Sequence, residues 1–217
     1  MNFLLISVFV SASVFGQQGL TDSVIGGRKS PDGLEELTCD LPGEQHLINV
    51  GGKDGAGLCV FTSIENAGHW QNVDSVRGFQ KKMTLEAGGG YPSKTEKMMS
   101  KYCADAQYIQ YSGNDMSLIY MALNTGRMPS VTYGYSPRYG KSRIQHMVNI
   151  VHLSERWACV LDNNFPGQEN YEWMKPEEFK KRWVMGGGGW AVFLLAPPPP
   201  PVPLNLVSYE ARPPKNL

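Results

Sequence analysis

The stretch GKDGAGLCVF, Gly52 to Phe61, marks the point where the chain's pattern changes, and it constrains the fold more than any other segment. From Leu58 onward Val60, Ile64, Ala67, Val73, Val76 and Phe79 recur at three- and four-residue steps with occasional wider gaps, the spacing of an amphipathic helix. Cys59 therefore falls on a helix's first turn. Gly55 and Gly57 let the backbone turn sharply into that helix and leave the approach to the sulfur free of Cβ atoms. EAGGGYPSK then interrupts the pattern, with Ser93 expected to cap a second helix through Lys94, Met98 and Tyr102. A third helix is expected over Asp115 to Leu123, closed by NTG, and a strand over Pro129 to Tyr133. IQHMVNIVHL and WACVLDNN read as an antiparallel strand pair, KPEEFKKRW as a short helix, and GGGGWAVFLLA as the entry to a closing strand. Helices come first and strands mostly afterwards, which is an α+β layout.

A chain of 217 residues can bury one sizeable core, so one domain with tails is expected. Lys and Arg number 20 and Asp and Glu number 20, and no basic cluster with interleaved aromatics appears. That balance argues against nucleic acid and against a membrane surface as partners. The opening MNFLLISVFVSASVFGQQ suits a secretory signal cleaved after Ala12 or Gly16, against which stands a buried N-terminal strand or an uncleaved anchor. The expected division is a signal peptide over 1–16, a loop or leader segment over 17–44, the folded domain over 45–196 and a proline-rich disordered tail over 197–217. Export would make the protein secreted or periplasmic and free of the membrane after cleavage, and a monomer is expected. Cys39, Cys59, Cys103 and Cys159 are too irregularly spaced for a disulfide framework. The chain has no CxxC, no HExxH and no phosphate-loop context around its glycines, so neither a metal nor a nucleotide cofactor is expected.

A cysteine attacks as its thiolate, and a helix N-terminus stabilises that anion through free backbone N–H groups and the macrodipole. His146 opens a β-branched strand that can hold an imidazole toward Cys59, as proton acceptor and later donor. Asp162, Asn163 and Asn164 lie on the neighbouring strand, where a side-chain oxygen can orient the ring. Strand alternation puts Asp162 and Asn163 on opposite faces, so only one of them can point at the imidazole. The plainer readings are a small buried cysteine, a satisfied strand histidine and turn-forming DNN before FPG. His69 and Trp70, at the far end of the helix, read as structural, and His46 shows no partner.

In this order the parts resemble the papain-like cysteine peptidases, in which a helix opens with the nucleophilic cysteine and a histidine, then an asparagine or aspartate, follow on strands. GGYP, Gly89 to Pro92, is similar to that family's glycine pair lining the substrate groove, and the resemblance spans about Gln45 to Leu195. It implies Cys59 as nucleophile, His146 as base and Asp162 or Asn163 as orienter, with Gly57, Gly89 and Gly90 lining a groove for extended peptide. Asp162, sixteen residues past His146, resembles the aspartate of the bacteriocin-leader-processing branch, and Asn163 would resemble papain. The family's oxyanion glutamine, six residues before the cysteine, is replaced by Lys53, so the resemblance leaves Gln45 or Asn49 to supply that donor if the loop Gly51 to Gly57 is longer than usual, or Lys53 itself to supply a charge. AGLCV also departs from the family's signature around the nucleophile. No long inhibitory prodomain is expected before Gln45.

The function implied is a secreted cysteine peptidase or amidase that cleaves peptide or isopeptide bonds of a peptide or protein substrate through an acyl-enzyme. The alternatives are a transglutaminase-like acyl transferase and, because of Lys53, a catalytically inactive papain-fold binding module.

Overall fold

A computed structural model describes residues 23–140 and 143–196. The leader expected over 1–16 and the tail expected over 197–217 lie outside the described residues. In chain order the elements are β1 Val24–Ile25, α1 Cys59–Gln71, α2 Phe79–Met83, α3 Pro92–Tyr102, β2 Tyr108–Ser112, α4 Ser117–Asn124, β3 Ser130–Tyr133, β4 His146–Leu153, β5 Ala158–Leu161, β6 Tyr171–Met174, α5 Pro176–Met185 and β7 Trp190–Leu194. The strands form one antiparallel sheet in the order β1-β6-β5-β4-β3-β7-β2. Helices combined with an antiparallel sheet are the α+β class expected from the sequence.

β4 is buried along its whole length and is the spine of the sheet. α1 packs along it and reaches β3 and β7. Buried polar contacts fix that packing. Ser63 Oγ donates to the Met147 carbonyl at 3.0 Å, and Asn149 Nδ2 donates back to the Ser63 carbonyl at 2.9 Å. The apolar step pattern that begins at Leu58 is served by three pieces, α1, the 3₁₀ turn Asp74–Val76 and α2, and not by one helix. α1 ends at Asn72, whose φ of 55° is left-handed, and α2 begins after Gly78 at φ 72°. Glu65, 5% exposed, holds the break by accepting from the backbone N–H groups of Gly78 and Gln80, the latter at 2.7 Å. Val76 and Phe79 still reach the core, because the turn folds back along α1.

Three strands fall outside the sequence expectation: β1, the β2 segment YIQYS and the β6 segment YEWM. Ser93 is not a cap, since α3 starts at Pro92 with its ring at the first helical position, where a missing N–H costs nothing. The boundary expected at Gln45 lies inside the packed body. Val24 and Ile25 pair with β6, Thr38 and Cys39 donate to the Val151 carbonyl at 3.1 and 2.9 Å, and Cys39 and Leu41 are buried. A side-chain cluster anchors the same segment: His152 Nε2 lies 2.8 Å from Glu35 Oε2, and Thr38 Oγ1 lies 3.0 Å from His152 Nδ1. All four cysteines are free thiols. Among the described residues no helix is long and apolar enough to cross a membrane.

Glu65→Ala removes the acceptor for two backbone N–H groups and should destabilise the fold by about 1–3 kcal/mol, the cost of leaving a buried polar group unpaired. Urea unfolding should show a lower midpoint with an unchanged slope.

Candidate active site

The helix with the glycine turn in front of it and the sheet meet in an open cleft of about 630 Å³. Cys59 is the first residue of α1 and His146 the first residue of β4, and both line the cleft. The β4–β5 ladder explains the third member. Asn149 pairs with Leu161, so the next step of the register carries Asp162 toward Val148, on the strand face shared with His146. His146 Nε2 lies 2.8 Å from Asp162 Oδ1, which leaves Nδ1 as the ring nitrogen free to serve Cys59, and both Cys59 and His146 line the cleft. His146 is 6% exposed and Asp162 fully buried.

Burial opposes charge on each of the three groups, and the contacts among them outweigh it. For Cys59 burial raises the thiol pKa, but the hydrogen bond and charge of His146 and the backbone N–H groups of Met147 and Val60 bring it below the ordinary thiol value. For His146 burial works against the imidazolium, yet Asp162 on one side and Cys59 on the other raise its pKa to about 9. Asp162 is likewise desolvated, and His146, the Asn164 N–H and the Tyr139 hydroxyl hold it below the usual carboxylate range. The three shifts favour a thiolate–imidazolium pair beside a carboxylate. The other cysteines go the opposite way: burial lifts Cys39 to about 12 and Cys103 to about 11, and Cys159 well above an ordinary thiol.

Asn163, the other candidate orienter, does not touch the ring. Its Nδ2 donates to the Cys59 carbonyl at 3.2 Å, to Ser63 Oγ at 2.9 Å and to the Met147 carbonyl at 3.1 Å. It therefore faces α1 and ties the helix start to β4, a clamp under the site and not a member of it. β5 ends at Leu161, so Asp162 and Asn163 lie just past it, where their side chains still face opposite ways, Asp162 toward the histidine and Asn163 toward α1.

Comparison with protein-family models finds no match, and comparison with curated proteins finds none. Among solved structures the chain is similar to one from Bacillus anthracis, provisionally assigned as a C39-like peptidase, at 13% identity and a TM-score of 0.45, over 80% of this chain and 98% of that one.

Of the two oxyanion candidates, Gln45 is corrected. It ends the 3₁₀ turn Gly43–Gln45, is exposed and does not line the cleft; its N–H donates to the Pro42 carbonyl at 2.8 Å and its carbonyl lies 3.4 Å from His69 Nδ1. Lys53 is also exposed and outside the cleft lining. Asn49 is in the cleft wall, beside Gly57. Residues 51–57 form a looped-out excursion closed by the Gly51–Gly57 bridge and by Gly52 N–H donating to the Ala56 carbonyl at 2.7 Å. Beyond the bridge, Leu58 N–H donates to the Val50 carbonyl at 3.0 Å. The excursion thus returns Asn49, ten residues before Cys59 in sequence, to the start of α1. Asn49 N–H donates to the Asn163 carbonyl at 2.7 Å and its Nδ2 to Asn164 Oδ1 at 2.8 Å. That second bond uses one of the two amide hydrogens and leaves the other.

Gly57, Gly89 and Gly90 all line the cleft. A Cβ at Gly90 would sit 2.4 Å from Val60 Cβ, so only glycine lets this wall lie against the first turn of α1. The facing wall is Thr132, Ile144, Gly186, Gly187 and Trp190. Gly186 packs its backbone on β3, 2.5 Å separating a hypothetical Cβ from the Tyr133 nitrogen. His46, which shows no partner in sequence, donates from Nε2 to the Leu41 carbonyl at 2.6 Å and receives Asn170 Nδ2 at 2.6 Å. It is a structural histidine. The residue that sequence reasoning missed is Tyr139, in the turn Pro137–Tyr139, whose hydroxyl reaches Asp162.

Brief iodoacetamide treatment near neutral pH should modify Cys59 and leave Cys39, Cys103 and Cys159 untouched in the folded protein, as read by peptide mass mapping.

Proposed function

We propose that this chain is a thiol hydrolase of the cysteine peptidase kind, cleaving peptide or isopeptide bonds through an acyl-enzyme on Cys59. The observation that carries this reading is His146, bonded through Nε2 to the buried Asp162 carboxylate, lining the same open cleft as Cys59 at the start of α1. The glycine wall at Gly89 and Gly90 offers main-chain groups to an extended peptide without side chains in the way.

In this reading the Cys59 thiolate attacks the carbonyl carbon and the carbonyl π electrons move onto oxygen. The Cys59 backbone N–H and the remaining Asn49 amide hydrogen are the donors available to that oxyanion. Its collapse expels the amine, which takes the proton from His146 Nδ1, and leaves a thioester. Neutral His146 then removes a proton from the water that attacks the thioester, and the carboxylic acid departs as the thiolate–imidazolium pair is restored. Asp162 stays ionised throughout and fixes which ring nitrogen faces the sulfur.

Cys59→Ala should abolish hydrolysis of a mixed peptide library while preserving the circular dichroism spectrum, and His146→Ala should do nearly the same. Asp162→Ala and Asn163→Ala should fall unequally: the first through catalysis with stability largely kept, the second mainly through a lower unfolding midpoint. Hydrolysis that survives Cys59→Ala would end the proposal.

The pH profile follows from the shifts. The acid limb marks protonation of the thiolate and lies below the ordinary thiol value, because Cys59 is lowered. The alkaline limb marks loss of the imidazolium proton and lies around 9, because His146 is raised. Activity against a fluorogenic peptide pool should trace a bell between these limits, whose apparent pKa values belong to the pair. An alkaline limb near an ordinary histidine value would contradict the geometry.

A further inference from the structure

We propose that Tyr139 is a positioning residue that holds the Asp162 carboxylate in the rotation His146 needs. The inference rests on the reading of Cys59, His146 and Asp162 just given, and it deepens that site by one residue.

Asp162 is fully buried, so each of its oxygens needs a partner inside the protein. Oδ1 has two besides Tyr139: His146 Nε2 at 2.8 Å and the Asn164 N–H at 3.0 Å. For Oδ2 the hydrogen bond present among the described residues is the Tyr139 hydroxyl, at 2.8 Å, with the same hydroxyl 3.1 Å from Oδ1. Without that donor Oδ2 is a buried anionic oxygen with no partner, and the carboxylate gains by rotating away from the imidazole. The hydroxyl is itself constrained. It accepts from Asn164 Nδ2 at 2.9 Å, so its one proton is directed at Asp162. Asn164 Oδ1 in turn accepts from Asn49 Nδ2. One continuous set of hydrogen bonds therefore runs Asn49, Asn164, Tyr139, Asp162, His146, joining the oxyanion candidate to the base across the cleft wall.

The ring has a second effect. It lines the cleft with its centroid 5.8 Å from that of His146 and 5.4 Å from that of Phe165, shielding the imidazole–carboxylate bond from cleft water. The turn that carries it is anchored: Ser136 Oγ accepts from the Arg138 N–H at 3.2 Å and donates to the buried Glu172 at 2.8 Å. Arg138 lies over the Phe165 ring, 3.4 Å from its centroid. The charged and titratable groups facing Asp162 and Tyr139 are thus His146 and Arg138.

The test is the rate of Cys59 alkylation by iodoacetamide against pH, which needs no knowledge of the substrate. Tyr139→Phe keeps the ring and deletes the hydroxyl. If the hydroxyl acts through Asp162, the rate at pH 6 should fall about tenfold, one unit of thiolate population. The rate above pH 10, where any thiol is ionised, should match the wild type. In an Asp162→Ala background the same substitution should cause no further loss. Ser136→Ala, which loosens the turn without removing the hydroxyl, should move the acid limb the same way by less, and it carries the test should Tyr139→Phe fail to fold. A highly reactive wild-type Cys59 with an unchanged Tyr139→Phe profile would sink this inference alone. So would a loss equal at every pH, or one that adds to that of Asp162→Ala. A wild-type Cys59 no faster than a free thiol would sink both this inference and the proposed function.

Discussion

The cleft's chemistry depends on one interaction, the bond between the His146 ring and the Asp162 carboxylate in a place nearly closed to water. Removing ions from water costs several kcal/mol each, so a bare imidazolium or thiolate at this depth would simply neutralise. Each group here is charged because the next one is. Asp162 supports the imidazolium, the imidazolium supports the Cys59 thiolate, and backbone N–H groups at the start of α1 and β4 complete the arrangement. In the proposed reaction, nucleophile and acid are prepared by the same set of contacts.

Much of the remaining fold serves to keep those contacts in register. β4 supplies the histidine and, through Met147 and Asn149, the groups that seat Ser63 of α1. Asn163 pins the Cys59 carbonyl from below, so the helix start cannot drift from the strand. A second buried polar group supports the opposite wall. Arg182 bridges Glu178 at 2.7 Å, Glu172 at 2.8 Å and the Tyr133 hydroxyl at 2.8 Å, while Ser136 ties the Tyr139 turn to Glu172. Breaking one partner of such a set is costly even though forming it from apolar residues would not be, and this makes the set a device of position more than of stability.

What was legible in the sequence was the chemistry carried by periodic segments. Cys59 lies where a glycine turn meets a helical apolar step, His146 opens a β-branched run, and the pattern puts Asp162 and Asn163 on opposite faces, as their hydrogen bonds in the structure do. The choice between those two needed the β4–β5 register, which no local pattern encodes. Asn49 was one of two candidates because its place depends on residues 51–57 looping out, a closure by two glycines at Gly51 and Gly57 that composition cannot distinguish from an extended path. Tyr139 was not legible at all, being one aromatic in a Pro-Arg-Tyr-Gly turn. The strands YIQYS and YEWM were missed because polar and charged residues break their apolar pattern, and the Val24–Leu41 segment because its attachment runs through β1–β6 pairing, backbone bonds to Val151 and a Glu35–His152 cluster, none of which has a local periodicity.

The most direct measurement is the titration of the His146 ring by NMR in the resting protein, with the resonance assigned through His146→Gln. The account predicts an imidazolium that persists to about pH 9 and an apparent pKa that drops when Cys59 is replaced by alanine, since the thiolate is one of its two supports. A ring that titrates near 6.5, indifferent to the loss of Cys59, would contradict it.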